Sequence, residues 1–119
     1  MNIPNEFSKI KEHFSPKVIG EVNDTYIKLA KIKGEKVPWH NHKNEDELFY
    51  IIDGSLLMEI ENEKPFMMHK GDLYIVKKSI NHRVSSQEEC CIILIENKTA
   101  LHTGTVHNEI TTSITAQLR

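Results

Sequence analysis

The sequence contains no long apolar run and no excess of charge of one sign. No apolar stretch approaches the ~20 residues that a membrane-spanning helix requires, and the amino terminus lacks the apolar core of a signal peptide. The formal net charge is −2, and the charged residues are scattered rather than clustered as phosphate binding requires. We therefore expect a cytoplasmic protein that binds small molecules, with no membrane and no nucleic-acid partner.

Cysteine is also scarce, since the 119 residues include only Cys90 and Cys91. Adjacent residues of a strand point to opposite faces, so a bridge between these two would be strained. We predict two reduced thiols, which is consistent with a cytoplasmic location. Nothing nearby in the sequence would activate them, so buried small hydrophobic side chains are favoured over a thiolate nucleophile.

A chain of 119 residues is long enough for one domain with a real core but not for two. We expect a single domain over residues 1–119, with its core at about 18–96 and a helical brace at 1–16. Residues 99–119 are rich in Thr and poor in apolar side chains. We predict that they form an extension, either a surface strand or a partly mobile tail.

The amino-terminal residues show a helical hydrophobic period. Phe7, Ile10 and Phe14 are spaced by three and four positions. This spacing predicts a short amphipathic helix over residues 5–14 that ends before Pro16. We expect the helix to lie on the rest of the domain as a lid or brace.

From Lys17 onward the hydrophobic period is two, which is typical of β-strands. Turn sequences, such as Asp53 followed by Gly54, separate the short strand-like runs. Short strands without intervening helices indicate an all-β sandwich or barrel. The predicted strands are residues 18–22, 26–33, 37–42, 47–52, 56–61, 66–69, 73–76, 82–84 and 90–96.

The predicted strand at residues 47–52 is apolar on both faces. If Glu47 points inward, Phe49 and Ile51 do so too. The outward set is then Leu48, Tyr50 and Ile52. An apolar outer face needs cover from another layer, and the candidates are the amino-terminal helix and a second subunit. We therefore predict a homodimer.

The next predicted strand supplies further inward side chains. The sequence places Glu59 and Glu61 in alternation with Leu56, Met58 and Ile60, and we take these three apolar residues as one inward face. Together with the preceding strand they predict an apolar pocket with few polar groups. The predicted pocket-lining residues are Phe49, Ile51, Met58 and Ile60.

Three histidines and a carboxylate stand at positions that suit a metal site. His40 and His42 share one face of the predicted strand, because alternate residues point the same way. The Glu47 carboxylate reaches the same point if its strand pairs beside that one, and His82 lies further along the chain. Three nitrogens and one oxygen suit a divalent transition metal better than Ca²⁺ or Mg²⁺, and they leave Zn, Fe, Mn and Ni open.

The spacing around these residues resembles a known motif. Gly34, five residues, His40, one residue, His42, four residues, Glu47, six residues and Gly54 match the first motif of the cupin superfamily without a gap. The resemblance implies that the four predicted ligands bind one metal.

The second cupin motif is matched only in part. Gly71 and His82 occupy the corresponding positions, but the Pro, Gly and Asn of the motif are replaced by Lys77, Ser79 and Ser86. The second motif is therefore degenerate, while its metal ligand is retained.

The resemblance, over about residues 18–96, implies a small antiparallel β-barrel or jelly roll with the metal inside. The turn before His82 must form without the Pro and Gly of the motif, and Asn81 can take a left-handed conformation at low cost. Lys77 and Lys78 either attract an anionic ligand to the barrel mouth or serve solubility and edge protection.

The other histidines are weaker candidates for metal binding. His69 lies close to Gly71 but on the wrong side of the turn for the motif. His13, His102 and His107 fall in the predicted helix and tail, where we expect them to be solvated.

Two classes of function follow from the resemblance. A site with three His and one Glu leaves about two of six octahedral positions for water, substrate or oxygen. One hypothesis is a binding module that holds a metal and a small oxygen-chelating molecule without turnover. The other is a small metal-dependent isomerase, epimerase, decarboxylase or dioxygenase, although no acid or base beyond the ligands is evident. A purely structural metal is disfavoured, because structural zinc sites are closed and tetrahedral.

Overall fold

The computed structural model describes residues 1–100, which form seven antiparallel strands and one short helix. This confirms the predicted all-β fold with an amino-terminal helix; residues 101–119 of the predicted extension lie outside the described residues. Across the part of the chain that the structure describes, no helix has the length and apolar character that crossing a membrane requires. The elements are α1 (Ile3–Ser8), β1 (Lys17–Val22), β2 (Thr25–Gly34), β3 (Glu47–Asp53), β4 (Ser55–Ile60), β5 (Phe66–His69), β6 (Leu73–Val76) and β7 (His82–Asn97).

Strand β7, which is 16 residues long, joins the two halves of the fold. Its first part pairs with β4, from the His82–Ile60 pair to the Ser85–Leu57 pair, and its second part lies between β2 and β3. The larger half has the strand order β1-β2-β7-β3-β6, and β5 pairs with β4 in the smaller half. The sheet does not close on itself, which fits a jelly roll rather than a closed barrel.

The prediction of separate strands at residues 82–84 and 90–96 was wrong. The polar residues between them read as a loop, but the backbone stays extended, and Ser85 and Ser86 remain paired with neighbouring strands. Ser86 lies opposite Gly34, and its hydroxyl donates a hydrogen bond to the Ile32 carbonyl at 2.8 Å. The polar side chains are therefore accommodated within one continuous strand.

The strand predicted at residues 37–42 is also absent from the described fold. This segment is a loop that touches the sheet at one isolated bridge, between His40 and His82. The prediction that His40 and His42 lie on one strand was therefore wrong, because the backbone of this segment is a loop.

The amino-terminal helix is shorter than predicted, because it ends at Ser8 and not near residue 14. Phe7, Ile10 and Phe14 are nevertheless all buried. Beyond the helix, Ile10 still donates its N–H to the Phe7 carbonyl at 3.0 Å, but the chain then bonds to β2. The Lys31 ammonium donates to the Ile10 carbonyl at 2.9 Å, and the Phe14 N–H donates to the Lys31 carbonyl at 2.8 Å. The hydrophobic period thus identified the buried side chains but not their backbone conformation.

The interior confirms the predicted parity of β3 and β4. Five side chains that we expected to point inward are at most 4 % exposed and pack in one cluster. They are Phe49, Ile51, Leu56, Met58 and Ile60.

The two cysteines point to opposite faces of β7, as predicted. Cys90 is buried in the inner cluster, whereas Cys91 packs on the outer side of the sheet. Burial raises the pKa of Cys90 to about 12 and also raises that of Cys91. Both are therefore thiols at neutral pH, and neither is activated as a nucleophile.

The outer face of β3 is covered only in part. Ile52 packs against a cluster that contains Phe7 and Ile10 from the amino-terminal segment. The opposite end of this face is different, because there β3 lies beside the edge strand β6, which has no further strand in the described fold.

Four apolar side chains are neighbours on that open end. Leu48 lies opposite Ile75, and Tyr50 lies opposite Leu73. Leu73 is 54 % exposed and Ile75 is 43 % exposed. Within residues 1–100 this area remains apolar and accessible to solvent.

Candidate metal centre

Three segments bring the four predicted ligands together. Glu47 is the first residue of β3 and His82 is the first residue of β7. The loop before β3 is held against β7 at His40, whose N–H donates to the His82 carbonyl at 3.1 Å, while the His82 N–H donates to the His40 carbonyl at 2.9 Å. The His42 carbonyl accepts a hydrogen bond from the Ser79 N–H at 2.8 Å. Backbone hydrogen bonds therefore fix both histidines of the loop.

The four side chains form one buried cluster. One donor atom of each lies within 4.8 Å of the others. Glu47 Oε1 is 3.2 Å from His42 Nε2 and 3.4 Å from His82 Nε2. The ring centroids of His40 and His82 are 4.4 Å apart. None of the four residues is more than 4 % exposed, and the cluster could hold a metal ion.

Backbone carbonyls orient two of the imidazoles. His40 Nδ1 lies 2.8 Å from the Pro38 carbonyl oxygen, and His82 Nδ1 lies 2.9 Å from the Ile80 carbonyl oxygen. A carbonyl only accepts hydrogen bonds, so each Nδ1 carries the proton. Each Nε2 is then left with a lone pair, which is the arrangement found where histidine binds a metal.

The cluster also contains buried nitrogens that lack a hydrogen-bond partner. Among residues 1–100, these are His40 Nε2 and both ring nitrogens of His42. Leaving a buried polar atom unpaired costs about 1–3 kcal/mol, so these atoms need a partner that the protein does not supply. A metal ion would satisfy His40 Nε2 and one nitrogen of His42. The donor set therefore fits a divalent transition metal.

The surroundings keep two of the ligands in the protonation states that metal binding requires. Burial, reinforced by His82, lowers the pKa of His40 from 6.5 to about 4. Burial alone would raise the pKa of the Glu47 carboxyl, but its close approach to the His42 and His82 imidazoles outweighs burial and holds that pKa below its usual range. Neutral imidazole and ionised carboxylate are the forms that bind metals.

A narrow apolar cavity of about 40 Å³ lies beside His40 and Glu47. Phe49 of β3 and Phe14 of the amino-terminal segment are both among the residues that line it. The other predicted pocket residues are buried in the core and do not line this cavity. They are Ile51, Met58 and Ile60.

The turn before His82 is made differently from the prediction. Ser79, at the position of the motif's glycine, adopts the left-handed conformation with φ 69°. Asn81 instead uses its side chain, whose oxygen accepts from Asn41 Nδ2 at 2.8 Å and whose nitrogen donates to Glu61 Oε2 at 2.6 Å. These contacts hold the turn against the loop that carries the first two histidines.

Lys77 and Lys78 both bond to Asp46 at the surface. Lys77 Nζ is 3.2 Å from Asp46 Oδ2, and the Lys78 N–H donates to Asp46 Oδ1 at 2.9 Å. The hydrogen bond from Lys78, followed by that from Lys77, lowers the pKa of Asp46. Attraction of an anionic ligand by these lysines stays a prediction.

Sequence reasoning missed a buried ion pair near the cluster. Lys28 Nζ lies 2.8 Å from Glu96 Oε1, and both side chains are fully buried. Glu96 lies opposite Glu47 in the pairing of β7 with β3. Burial, followed by the Glu47 charge, raises the pKa of Glu96 well above its usual range, although Lys28 opposes this. Parity could have revealed the pair, because Lys28 shares a face of β2 with Ala30, and Glu96 shares a face of β7 with Leu94.

The remaining described histidines lie outside the cluster. His69 is exposed, and its Nδ1 lies 2.9 Å from the Ser55 hydroxyl. His13 is also at the surface. The predictions for His102 and His107 concern positions outside the described residues.

Comparison with known proteins finds a family match over the segment that contains these candidate ligands. Residues 31–96, which include all four candidate ligands, match the sequence model of the family described as Cupin domain. The uncharacterized protein YdbB of Bacillus subtilis is 33% identical over 98 residues, which cover 82% of this chain and 83% of YdbB.

Two solved structures share the fold over most of their length. A cupin-2 domain containing protein from Shewanella frigidimarina is 35% identical, with a TM-score of 0.78 over 82% of this chain and 93% of that chain. Protein NMB1881 from Neisseria meningitidis is 26% identical, with a TM-score of 0.74 over 82% of this chain and 97% of that chain.

Proposed function

This chain belongs to the cupin domain family, and on that premise we propose that it binds one divalent transition metal and, at the metal, a small oxygen-chelating molecule. The proposed ligands are His40, His42, Glu47 and His82. When bound, such a metal supplies Lewis acidity toward an oxygen of the small molecule.

The observation that carries this proposal is the pair of buried imidazoles with unpaired nitrogens, His40 and His42. Their backbone is fixed by hydrogen bonds to β7 and to the turn before it, so the side chains are held in place before any ligand arrives. Glu47 supports the proposal in a second way. Its lowered pKa keeps the carboxylate ionised, and this negative charge offsets part of the charge of a divalent cation.

The cavity favours a binding module over an enzyme. His40 and Glu47 are its two titratable wall residues within the described chain, and both are committed as ligands. Glu96 is paired with Lys28 and does not line the cavity. Among residues 1–100, no further side chain that lines the cavity can therefore hold or move a proton. The alternative is a metal-dependent isomerase, epimerase, decarboxylase or dioxygenase, in which the metal would have to provide most of the catalysis.

The visible spectrum of the Co²⁺-substituted protein tests whether the proposed metal site is open to ligands. Azide is the smallest probe. Small α-keto acids, α-hydroxy acids and dicarbonyl compounds are then screened for a change in this spectrum. We expect azide and at least one oxygen chelator to shift the spectrum, and we expect the His82→Ala variant to lose the signal. Hits are assayed for product, and turnover would favour the enzyme alternative. A spectrum that no ligand changes would contradict an open metal site.

We also propose that the apolar area on β3 and β6 pairs with a second copy of this chain. Leu48 and Tyr50 adjoin the exposed Leu73 and Ile75, and the amino-terminal segment does not cover this end of the sheet. Burial of apolar surface contributes ~25 cal/mol per Å², and a two-fold pairing brings the same patch of both copies together.

Sedimentation of the full chain tests this pairing. We expect a species of twice 13.8 kDa, and we expect Ile75→Lys to shift it toward the monomer. A monomer at high protein concentration would contradict the proposed dimer.

A further inference from the structure

The amino-terminal segment places a phenyl ring at the candidate metal centre. Phe14 is 6 % exposed and lines the same cavity as His40 and Glu47. It lies beyond the end of α1, in a stretch that belongs to neither a helix nor a strand. One wall of the cavity is therefore supplied by a connecting segment rather than by the sheet.

The backbone at Phe14 is strained. Its φ is 57°, in the left-handed region that a bulky side chain rarely adopts. Conformations of this kind persist only where the surroundings impose them, and they concentrate at ligand clamps and switch regions. Here the imposed conformation turns the ring inward, against Ala30 and Val84 of the inner cluster.

Few hydrogen bonds fasten this segment to the sheet, and Ile10 adds apolar packing in the outer cluster with Leu29. The Phe14 N–H donates to the Lys31 carbonyl at 2.8 Å, and the Lys31 ammonium donates to the Ile10 carbonyl at 2.9 Å. His13 Nε2 lies 2.8 Å from Glu89 Oε2, and both of these side chains are exposed. The segment can therefore lift without breaking a strand pairing.

The space left beside the ring is small. The cavity has about 40 Å³, which is room for only a few water molecules, because one water needs roughly 10–15 Å³ of such space. A guest the size of benzene needs an apolar cavity of roughly 150 Å³. A ligand with more than a few non-hydrogen atoms therefore cannot enter the cavity without displacing part of its wall, and Phe14 is the wall side chain that lies on a connecting segment near the end of the helix.

We propose that Phe14 is a plug that determines which ligands reach the metal centre. With residues 9–16 docked, only ligands of a few non-hydrogen atoms fit, and larger oxygen chelators bind only when Phe14 leaves the cavity. This inference rests on the proposed metal binding, and it adds a size limit that the four ligands do not set.

The test compares ligands of increasing size on the Co²⁺ form of the full chain. The probes are azide, acetohydroxamate and benzohydroxamate, and each dissociation constant is read from the visible spectrum. For Phe14→Ala we expect less than a twofold change for azide, an intermediate gain for acetohydroxamate and at least a tenfold gain in affinity for benzohydroxamate. An equal change in affinity for all three probes, or no change in any affinity, would overturn the proposal.

Phe7→Ala is the matched control. Phe7 is a buried phenylalanine of the same amino-terminal segment, but it packs with Leu29 on the outer side of the sheet and does not line the cavity. We expect this variant to lose stability without changing the ratio of the three affinities. A gain for benzohydroxamate as large as that of Phe14→Ala would show that loosening the segment, and not removing the plug, admits the ligand.

A second substitution at the same position guards against a failure to fold. Phe14→Leu keeps an apolar side chain and removes the ring, so we expect at least a threefold gain in affinity for benzohydroxamate and no gain in affinity for azide.

The wild-type response to azide separates the failure of the proposed metal site from the failure of the proposed plug. If azide leaves the wild-type spectrum unchanged, the open metal site is wrong; if azide binds but affinity does not follow ligand size in either variant, only the plug is wrong.

Discussion

The buried Lys28–Glu96 pair gives a sharp prediction about stability. The ammonium and carboxylate are 2.8 Å apart, and neither side chain reaches solvent. The substitution Lys28→Met keeps a long unbranched side chain and removes the charge. It leaves the Glu96 carboxyl buried beside Glu47, with no cation to oppose the Glu47 charge.

Breaking a buried ion pair by removing one partner costs about 3–5 kcal/mol, whereas replacing both partners by apolar residues is often close to neutral. We therefore expect Lys28→Met to lower the free energy of unfolding by about 3–5 kcal/mol at pH 7. The double variant Lys28→Met/Glu96→Leu should recover most of that loss. The deficit of the single variant should shrink toward pH 4.5, because the unpaired Glu96 carboxyl, whose pKa is raised, takes up a proton in the folded state, and this costs free energy only at pH values where the unfolded state is ionised.

Urea unfolding of metal-free protein measures these differences without a contribution from bound metal. The matched control is Lys77→Met, which breaks the exposed pair of Lys77 with Asp46 and should have no measurable effect. The reasoning would be refuted by a Lys28→Met variant within about 1 kcal/mol of the wild type, or by a double variant as unstable as the single one.

Two further predictions concern a turn and a ligand. Gly54 has φ 84°, and a Cβ there would lie 2.6 Å from the Glu89 carbonyl oxygen. Gly54→Ala should therefore lower the free energy of unfolding by about 2–4 kcal/mol. The control is Gly20→Ala, which has open space around it and should lower the free energy of unfolding by about 0.5 kcal/mol or less. Similar losses in both variants would contradict this prediction. Because the folded-state pKa of His40 is lowered to about 4, metal-free protein should lose about 3 kcal/mol as pH falls from about 6.5 to 4, where only the unfolded state takes up the proton. His40→Gln should flatten this dependence, and an unchanged pH profile in that variant would count against the buried neutral histidine.

The sequence carried most of the information about the metal centre. Spacing alone identified His40, His42, Glu47 and His82, although the first two lie on a loop and not on the strand that the spacing suggested. The four side chains come together despite this error, because the loop is held by backbone hydrogen bonds to His82 and Ser79. Those hydrogen bonds join residues about 40 positions apart in the chain, so no local sequence pattern predicts them.

Features that depend on tertiary contacts were not predictable in the same way. The polar stretch around Ser86 reads as a loop, but pairing with β2 keeps it extended. Phe14 fits a helical stripe, yet its backbone is set by the Lys31 carbonyl and its ring by the cavity. Parity places Lys28 and Glu96 on the inward faces of their strands, but only the alignment of two distant strands shows that the two charges lie side by side inside the fold.

Elemental analysis of protein purified without chelators tests the central claim most directly. We predict about one equivalent of a divalent transition metal per chain, reduced at least tenfold in His42→Ala and in His82→Ala. The control His69→Ala, which removes an exposed histidine outside the cluster, should retain the metal. Full occupancy in both cluster variants, or a wild-type protein that holds no metal even after incubation with Zn²⁺, Fe²⁺, Mn²⁺ or Ni²⁺, would contradict the account.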